Sequence, residues 1–350
     1  AVLASGYVGE GKVVERFEEA LSNYLGHPAP VTVNSATSGL TLALRMIADE
    51  VGPYRREVLT TPITCFATTC AILAAGMRPV WVDQDDITCN MQIADACRKL
   101  TSSTAAVMLV YWGGSPVPRE QIERLLHLSL DRFGRTLPVV EDAAHAFGAE
   151  RDGKKLGNEG FWTIYSFQAV KQLTTVDGGC LLCPMEKWQE ARKLRWYGLD
   201  RSQPSLDRLR GPVRDWGYKF HMNDVAAAIG IENLKIVDRA IGAQRRHSAQ
   251  YANCKLRAPL WDYCGARDSA WLHTILVQGR DELMRKLANE GIESSPVHLR
   301  NDRYECVAAF RDHDLPGVDS LERRILCIPN GPWVTDEDRE RIVDVIRSGW

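Results

Sequence analysis

Between residues 11 and 25 the apolar side chains Val13, Val14, Phe17, Leu21 and Tyr24 recur at the spacing of one helical face, which predicts an amphipathic helix. A short β-branched run, Val31-Thr32-Val33, follows, then a turn of small residues over 34–39 and a helix over 40–50. Further apolar runs of strand length lie at 57–61, 78–82, 105–111, 137–140, 161–167 and 179–183, several of them separated by helix-length segments. About seven strands alternating with helices predict an α/β fold with a mostly parallel central sheet. A long polar helix over 233–255 comes next, and after it the signals thin to a strand at 271–277 and helices at 280–290 and 336–350. The pattern predicts a large domain over residues 1–240 and a smaller C-terminal α+β domain over 241–350. It contains no internal repeat and no low-complexity segment.

Composition narrows the chemistry. The 350 residues are 45% hydrophobic and 25% charged, enough for a large core, and the formal net charge of −2 argues against a general binder of nucleic acid or membrane surfaces. No apolar run approaches the roughly 18 residues needed to cross a bilayer, and no signal-peptide pattern opens the chain, so the expectation is a cytoplasmic protein. Ten cysteines are scattered through apolar context and read as buried free thiols. Cys180 and Cys183 form a C-x-x-C pair inside a strand-like run, where alternation sends positions three apart to opposite faces. Without a second pair, no metal site is expected.

Three segments carry candidate chemistry. The run at 161–167 delivers Ser166 and then Lys171 into a Thr/Gly-rich turn. A lysine at the lip of a buried strand can shed its proton and attack a carbonyl, as a Schiff base with pyridoxal phosphate (PLP) requires. The turn Asn34-Ser35-Ala36-Thr37-Ser38-Gly39 opens a helix and offers backbone N–H groups to a phosphate. Glu141-Asp142-Ala143-Ala144-His145 continues a buried parallel strand, so two carboxylates and an imidazole stand at the sheet edge where ligands bind. A carboxylate there can hold a pyridine nitrogen protonated. Taken alone, each segment has a plainer reading: a solvated loop lysine, a capped helix start, an acidic first turn.

Together these segments resemble the DegT/DnrJ/EryC1/StrS aminotransferases, PLP enzymes of the aspartate-aminotransferase fold (fold type I) that act on nucleotide-linked keto sugars. The likeness runs from about Gly6 through nearly the whole chain. It includes Ser5-Gly6-Tyr7-Val8-Gly9-Glu10-Gly11-Lys12, the cup at 34–39, Arg78-Pro79-Val80-Trp81-Val82-Asp83, Glu141 to Ala146, Ser166-Phe167 with Lys171, Asp177-Gly178-Gly179, Leu194-Arg195-Trp196-Tyr197-Gly198 and Gly217-Tyr218-Lys219-Phe220-His221-Met222.

The resemblance implies that Lys171 bonds the cofactor and then shuttles the proton, that Asp142 rather than Glu141 pairs with the pyridine nitrogen, and that His145 contacts the ring. Ala36, Thr37 and Ser166 would hold the phosphate. Three positions depart from the family pattern. Cys65 falls where many members stack an aromatic ring, with Phe66 one residue later. Lys219 and His221 lie near an Asn that members donate to the phosphate across a dimer interface. Ala36 replaces a commoner Gly, which a negative φ tolerates. Because the lysine is retained where one relative has histidine and dehydrates sugars, the resemblance implies transamination: L-glutamate to 2-oxoglutarate, keto sugar to amino sugar, on a homodimer.

For the substrate, the stretch 192–214 holds seven basic residues, Arg195 among them, against Glu190, Asp200 and Asp207 nearby, and reads as a loop able to bind a nucleotide diphosphate. His298 and Arg300 resemble the family loop that returns to the substrate. A nicotinamide-dependent oxidoreductase would share the α/β pattern, but no Gly-x-Gly-x-x-Gly follows an early strand. A different keto or aldehydo substrate, such as an octulosonate-type acid sugar, and a non-catalytic regulator on the same fold are the remaining alternatives.

Overall fold

The first apolar stripe is realised. In the computed structural model, which describes residues 1–254, 262–263 and 266–350, α1 (Lys12–Leu25) buries Val14, Phe17, Leu21 and Leu25 and ends at Gly26, whose φ of 73° suits a glycine. The strands follow as β1 (Val31–Val33), β2 (Glu57–Thr60), β3 (Arg78–Trp81), β4 (Thr104–Val110) and β5 (Val139–Asp142), then the two-residue β6 (Glu150–Arg151) and β7 (Lys154–Lys155), then β8 (Trp162–Ser166) and β9 (Gly179–Leu182). Between the first five run α2 (Ala36–Val51), α3 (Phe66–Ala74), α4 (Ile93–Lys99) and α5 (Arg119–Phe133).

Seven of the strands form one sheet in the order β1-β9-β8-β5-β4-β2-β3. Strands β3, β2, β4, β5 and β8 are parallel, while β9 runs antiparallel to both of its neighbours. Helices cover both faces, which is why these strands read as continuous apolar runs. Along β4, Val107 and Leu109 join the core beneath α1, whereas Met108 joins the core beneath α2. The same alternation puts Cys180 on the α1 side and Cys183 on the α2 side; burial pushes the Cys183 thiol up to about 12. The nine described cysteines are all free, and Cys264 lies outside the described residues. Among the described residues no group of His, Cys, Asp and Glu could hold a metal ion.

Two boundaries differ from expectation. The small residues read as a turn over 34–39 already include the first helical turn of α2, whose N-cap Ser35 accepts a bond from the Ser38 N–H at 3.1 Å. After α6 (Trp188–Leu194) and α7 (Ser205–Arg210) comes α8 (Asp224–Leu234), and the long polar helix expected over 233–255 is α9 (Val237–Asn253), which starts only after α8 has ended; near that end Asn233 donates its side-chain amide to the Thr174 carbonyl. The expected end of the long helix at Lys255 lies outside the described residues. The expected domain boundary at residue 240 falls inside the unbroken α9.

Beyond it, β10 (Asp262–Tyr263) and β11 (Ala266–Arg267) extend the β6–β7 hairpin into a small sheet. The antiparallel pair β12 (His273–Leu276) and β13 (Ile325–Ile328) packs with α10 (Arg280–Asn289) and α12 (Asp336–Arg347) around Tyr251, Ile275, Leu283, Leu326 and Ile342. Before β13, α11 (Pro316–Arg324) seats its first N–H groups on Asp83, tying this part to the end of β3.

Candidate active site

The carboxyl ends of β5 and β8 and the amino end of α2 converge on one place. From the end of β8 the chain enters a turn closed by Thr175 N–H to Phe167 O and by Phe167 N–H to Gly178 O, both 2.9 Å. The Gln172 amide pins it further, donating to Gln244 at 2.8 Å and to the Ser269 carbonyl at 2.9 Å. Lys171 sits in this turn. Burial lowers its amine to about 7, against the opposing pull of Asp142 and Cys65. The Nζ lies 3.5 Å from the centroid of the Trp271 ring.

Asp142 ends β5. Its carboxylate accepts from Thr68 Oγ1 at 2.7 Å and from the Ala144 N–H at 3.2 Å, and burial raises its pKa despite these bonds and the nearby Lys171. Alternation turns Glu141 to the opposite face, where Tyr111 (2.5 Å), Arg151 (2.9 Å) and Thr163 absorb it in a buried network with Glu159. That leaves Asp142 as the carboxylate that can meet a ligand at the sheet edge.

His145 is buried, 4.1 Å from Trp271 and 5.5 Å from His298 between ring centroids. His145 Nδ1 and His298 Nε2 have no hydrogen-bond partner among the described residues. Burial and the neighbouring Lys171 hold both imidazoles neutral, His298 at about 4. Lys171 therefore faces one carboxylate and two uncharged rings.

Ala36 and Thr37 open α2, where helical geometry leaves the first N–H groups without intrahelical partners. Ala36 is helical and keeps a negative φ. The close approach depends on Gly179: a Cβ there would stand 2.8 Å from both the Ala36 nitrogen and the Tyr165 carbonyl. Ser166, the last residue of β8, is paired in register with Gly179, and its hydroxyl accepts from the Gln168 N–H at 3.4 Å. Cys65 is the exposed residue before α3 and acts electrostatically on Lys171, while Phe66 turns away to pack on Tyr304 at 4.8 Å. Exposed Lys219 and half-buried His221 lie on a segment that pairs with the end of β1, Asn34 bonding the Phe220 and Lys219 carbonyls.

Two expected substrate contacts are corrected. Arg195 is 1% exposed, and its guanidinium is spent on Glu18 (2.7 Å), Glu10 (2.8 Å) and the Thr32 carbonyl (2.6 Å). Its neighbours are similarly engaged, Arg192 with Glu18, Arg201 with Glu10 and Lys193 with Asp200, so most of the basic stretch neutralises acids of this chain. Arg300 forks onto Asp302 at 2.7 and 2.8 Å and also pairs with Asp319 and Glu322. A buried guanidinium needs such partners; those of Arg195 come from distant parts of the sequence, whereas Asp302 lies two residues from Arg300.

The sequence profile of the DegT/DnrJ/EryC1/StrS aminotransferase family matches residues 1–347. The chain belongs to that family. Among solved structures it resembles AtS13 from Actinomadura melliaura, with 42% identity, a TM-score of 0.94, and coverage of 100% of this chain and 94% of the other. It resembles the sugar aminotransferase CalS13 from Micromonospora echinospora at 36% identity and TM-score 0.94, over 100% and 95% of the two chains. DesV of S. venezuelae, solved in complex with a ketimine intermediate, matches at 27% identity and TM-score 0.88, over 99% and 91%.

The protein is thus a PLP-dependent sugar aminotransferase of fold type I. Its own residues fit that cofactor: a desolvated amine, a buried carboxylate at the sheet edge, an imidazole with an unpartnered ring nitrogen, and a helix start that a Cβ at position 179 would obstruct. The sequence reading passed over Trp271 and Trp112, which frame His145 in this aminotransferase. An indole at the head of a strand-like run carries no signal of its own; only the packing reveals its place. No described helix is long and apolar enough to cross a membrane.

Proposed function

We propose that this aminotransferase moves the amino group of L-glutamate to a nucleotide-linked keto sugar, a 4-keto-6-deoxyhexose, with Lys171 as the reacting amine. The observation that carries the reading is the Lys171 amine, brought by burial to about 7 beside the Asp142 carboxylate at the ends of parallel strands. An amine with that pKa is part neutral at neutral pH, so it can attack a carbonyl and later take and return a proton at Nζ. When bound, PLP supplies the aldehyde and the electron-withdrawing ring.

Asp142 would hold the ring nitrogen, with Thr68 fixing the carboxylate that does so. Ala36 and Thr37 N–H groups and the Ser166 hydroxyl would hold the phosphate; Lys219 and His221 would add basic side chains across the interface of a homodimer. Cys65 and His145 would flank the ring. His298, neutral and with a free Nε2, is suited to a sugar hydroxyl rather than to an anion. Arg195 and Arg300 take no part, since their charges are already spent.

The test is the visible absorption spectrum of the protein with PLP before and after L-glutamate, followed by a panel of nucleotide-linked keto sugars. A visible band that glutamate converts to the pyridoxamine form, and that a keto sugar restores, supports the reading. A band indifferent to glutamate refutes the donor, and no band refutes Lys171.

A further inference from the structure

We propose that Trp271 is a positioning residue for Lys171, its indole face fixing the side-chain conformation in which the free amine waits. The inference rests on the assignment of Lys171 as the reacting amine and goes beyond it by naming what holds that amine.

Three contacts of the ring and three bonds of the preceding residues carry it. The Nζ lies 3.5 Å from the indole centroid, a cation–π distance for the protonated amine. The indole Nε1–H donates to the carbonyl of Val170 at 3.0 Å, so the ring is bonded to the residue preceding the lysine it covers. On its other flank the ring lies 4.1 Å from His145. The backbone before it is held just as firmly. Asp268 accepts the Ala270 N–H at 2.6 Å, Asn330 donates to the Ala270 carbonyl at 2.6 Å, and Ser269 Oγ bonds the His145 carbonyl at 2.8 Å. Ala270 has φ 55°, a left-handed conformation uncommon for a residue with a Cβ. Strain of this kind persists only where the surroundings determine it, and here it aims the indole at Lys171.

A lysine has four rotatable bonds, and an unanchored amine would spread over many conformations. The Trp271 face offers the ammonium an attractive surface that brings no water and no competing proton acceptor. The amine therefore stays desolvated yet localised. A tryptophan that merely filled space would affect folding but not the chemistry of one lysine.

The experiment compares cofactor-free wild type, Trp271→Phe and Trp271→Leu under limited acetylation with acetic anhydride, reading the modification of Lys171 against exposed Lys154 by peptide mass spectrometry. Loss of the indole face raises the Lys171 to Lys154 ratio on the order of tenfold in the Leu variant, while Phe, which retains an aromatic face, stays near wild type. In the PLP-loaded enzyme, the Leu variant transfers the proton of [2-²H]glutamate more slowly, with an enlarged isotope effect and little change in KM. An unchanged labelling ratio in a folded Leu variant overturns the proposal. If the Leu variant does not fold, Trp271→Met serves in the same comparison. Because labelling needs neither cofactor nor substrate, a failure of the glutamate assay would refute the donor and leave the labelling result standing.

Discussion

Lys171 and Asp142, the pair proposed to do the chemistry, are both uncomfortable in their protonation states: burial pushes the amine down and the carboxyl up, and each partly relieves the other. Replacing Asp142 by Asn keeps the size and the acceptor for Thr68 but removes the charge. Turnover is expected to fall by on the order of a hundredfold or more, with the fold unchanged by circular dichroism; activity within a few-fold of wild type would exclude Asp142 from the chemistry. His273 tests burial away from the site. It is fully buried against Ser248 and Tyr251, and desolvation lowers it to about 3. The unfolded chain binds a proton at this residue below about pH 6.5 and the folded chain does not, so its effect is to remove stability as pH falls from about 6.5 toward 3. The slope is about 1.4 kcal/mol per pH unit. Urea unfolding of His273→Gln at pH 7, 6 and 5 should show a curve flatter than wild type by that amount, and equal slopes would contradict the assignment.

Among elements, the start of α2 shows how close packing makes a binding surface. Gly179 on β9 lets the helix approach until the Ala36 nitrogen would be 2.8 Å from any added Cβ, and backbone atoms on both sides cannot rotate away. Gly179→Ala should therefore cost roughly 1–3 kcal/mol and also weaken PLP retention on dialysis, because the shift displaces the N–H groups proposed to hold the phosphate. A loss of stability with unchanged retention would separate the cup from the cofactor. The amino end of α1 follows a related logic: Gly11 offers no side-chain cap, and Asp224 of α8 accepts the Gly11 and Val14 N–H groups at 2.9 and 3.0 Å. One helix is capped by the first turn of another.

At the scale of the molecule, the large apolar side chains Tyr7, Val176, Val213 and Trp216 are left 54%, 62%, 50% and 62% exposed. A homodimer covering them is the expected state, and sedimentation equilibrium should return twice the chain mass; a stable, active monomer retaining PLP would refute it. The sequence alone determined the α/β class and the strand positions of the central sheet, because a strand buried on both faces must be apolar along its length. It also marked the lysine, the acid pair and the small-residue cup as candidates, because local motifs carry them. Only the tertiary structure decided what depends on partners far along the chain. Glu10, Glu18 and Thr32 claim Arg195, and Trp271, 100 residues from Lys171, comes to cover its amine. Periodicity reports which face of an element is buried, but a charge or a ring finds its partner through packing, and that pairing leaves no local trace.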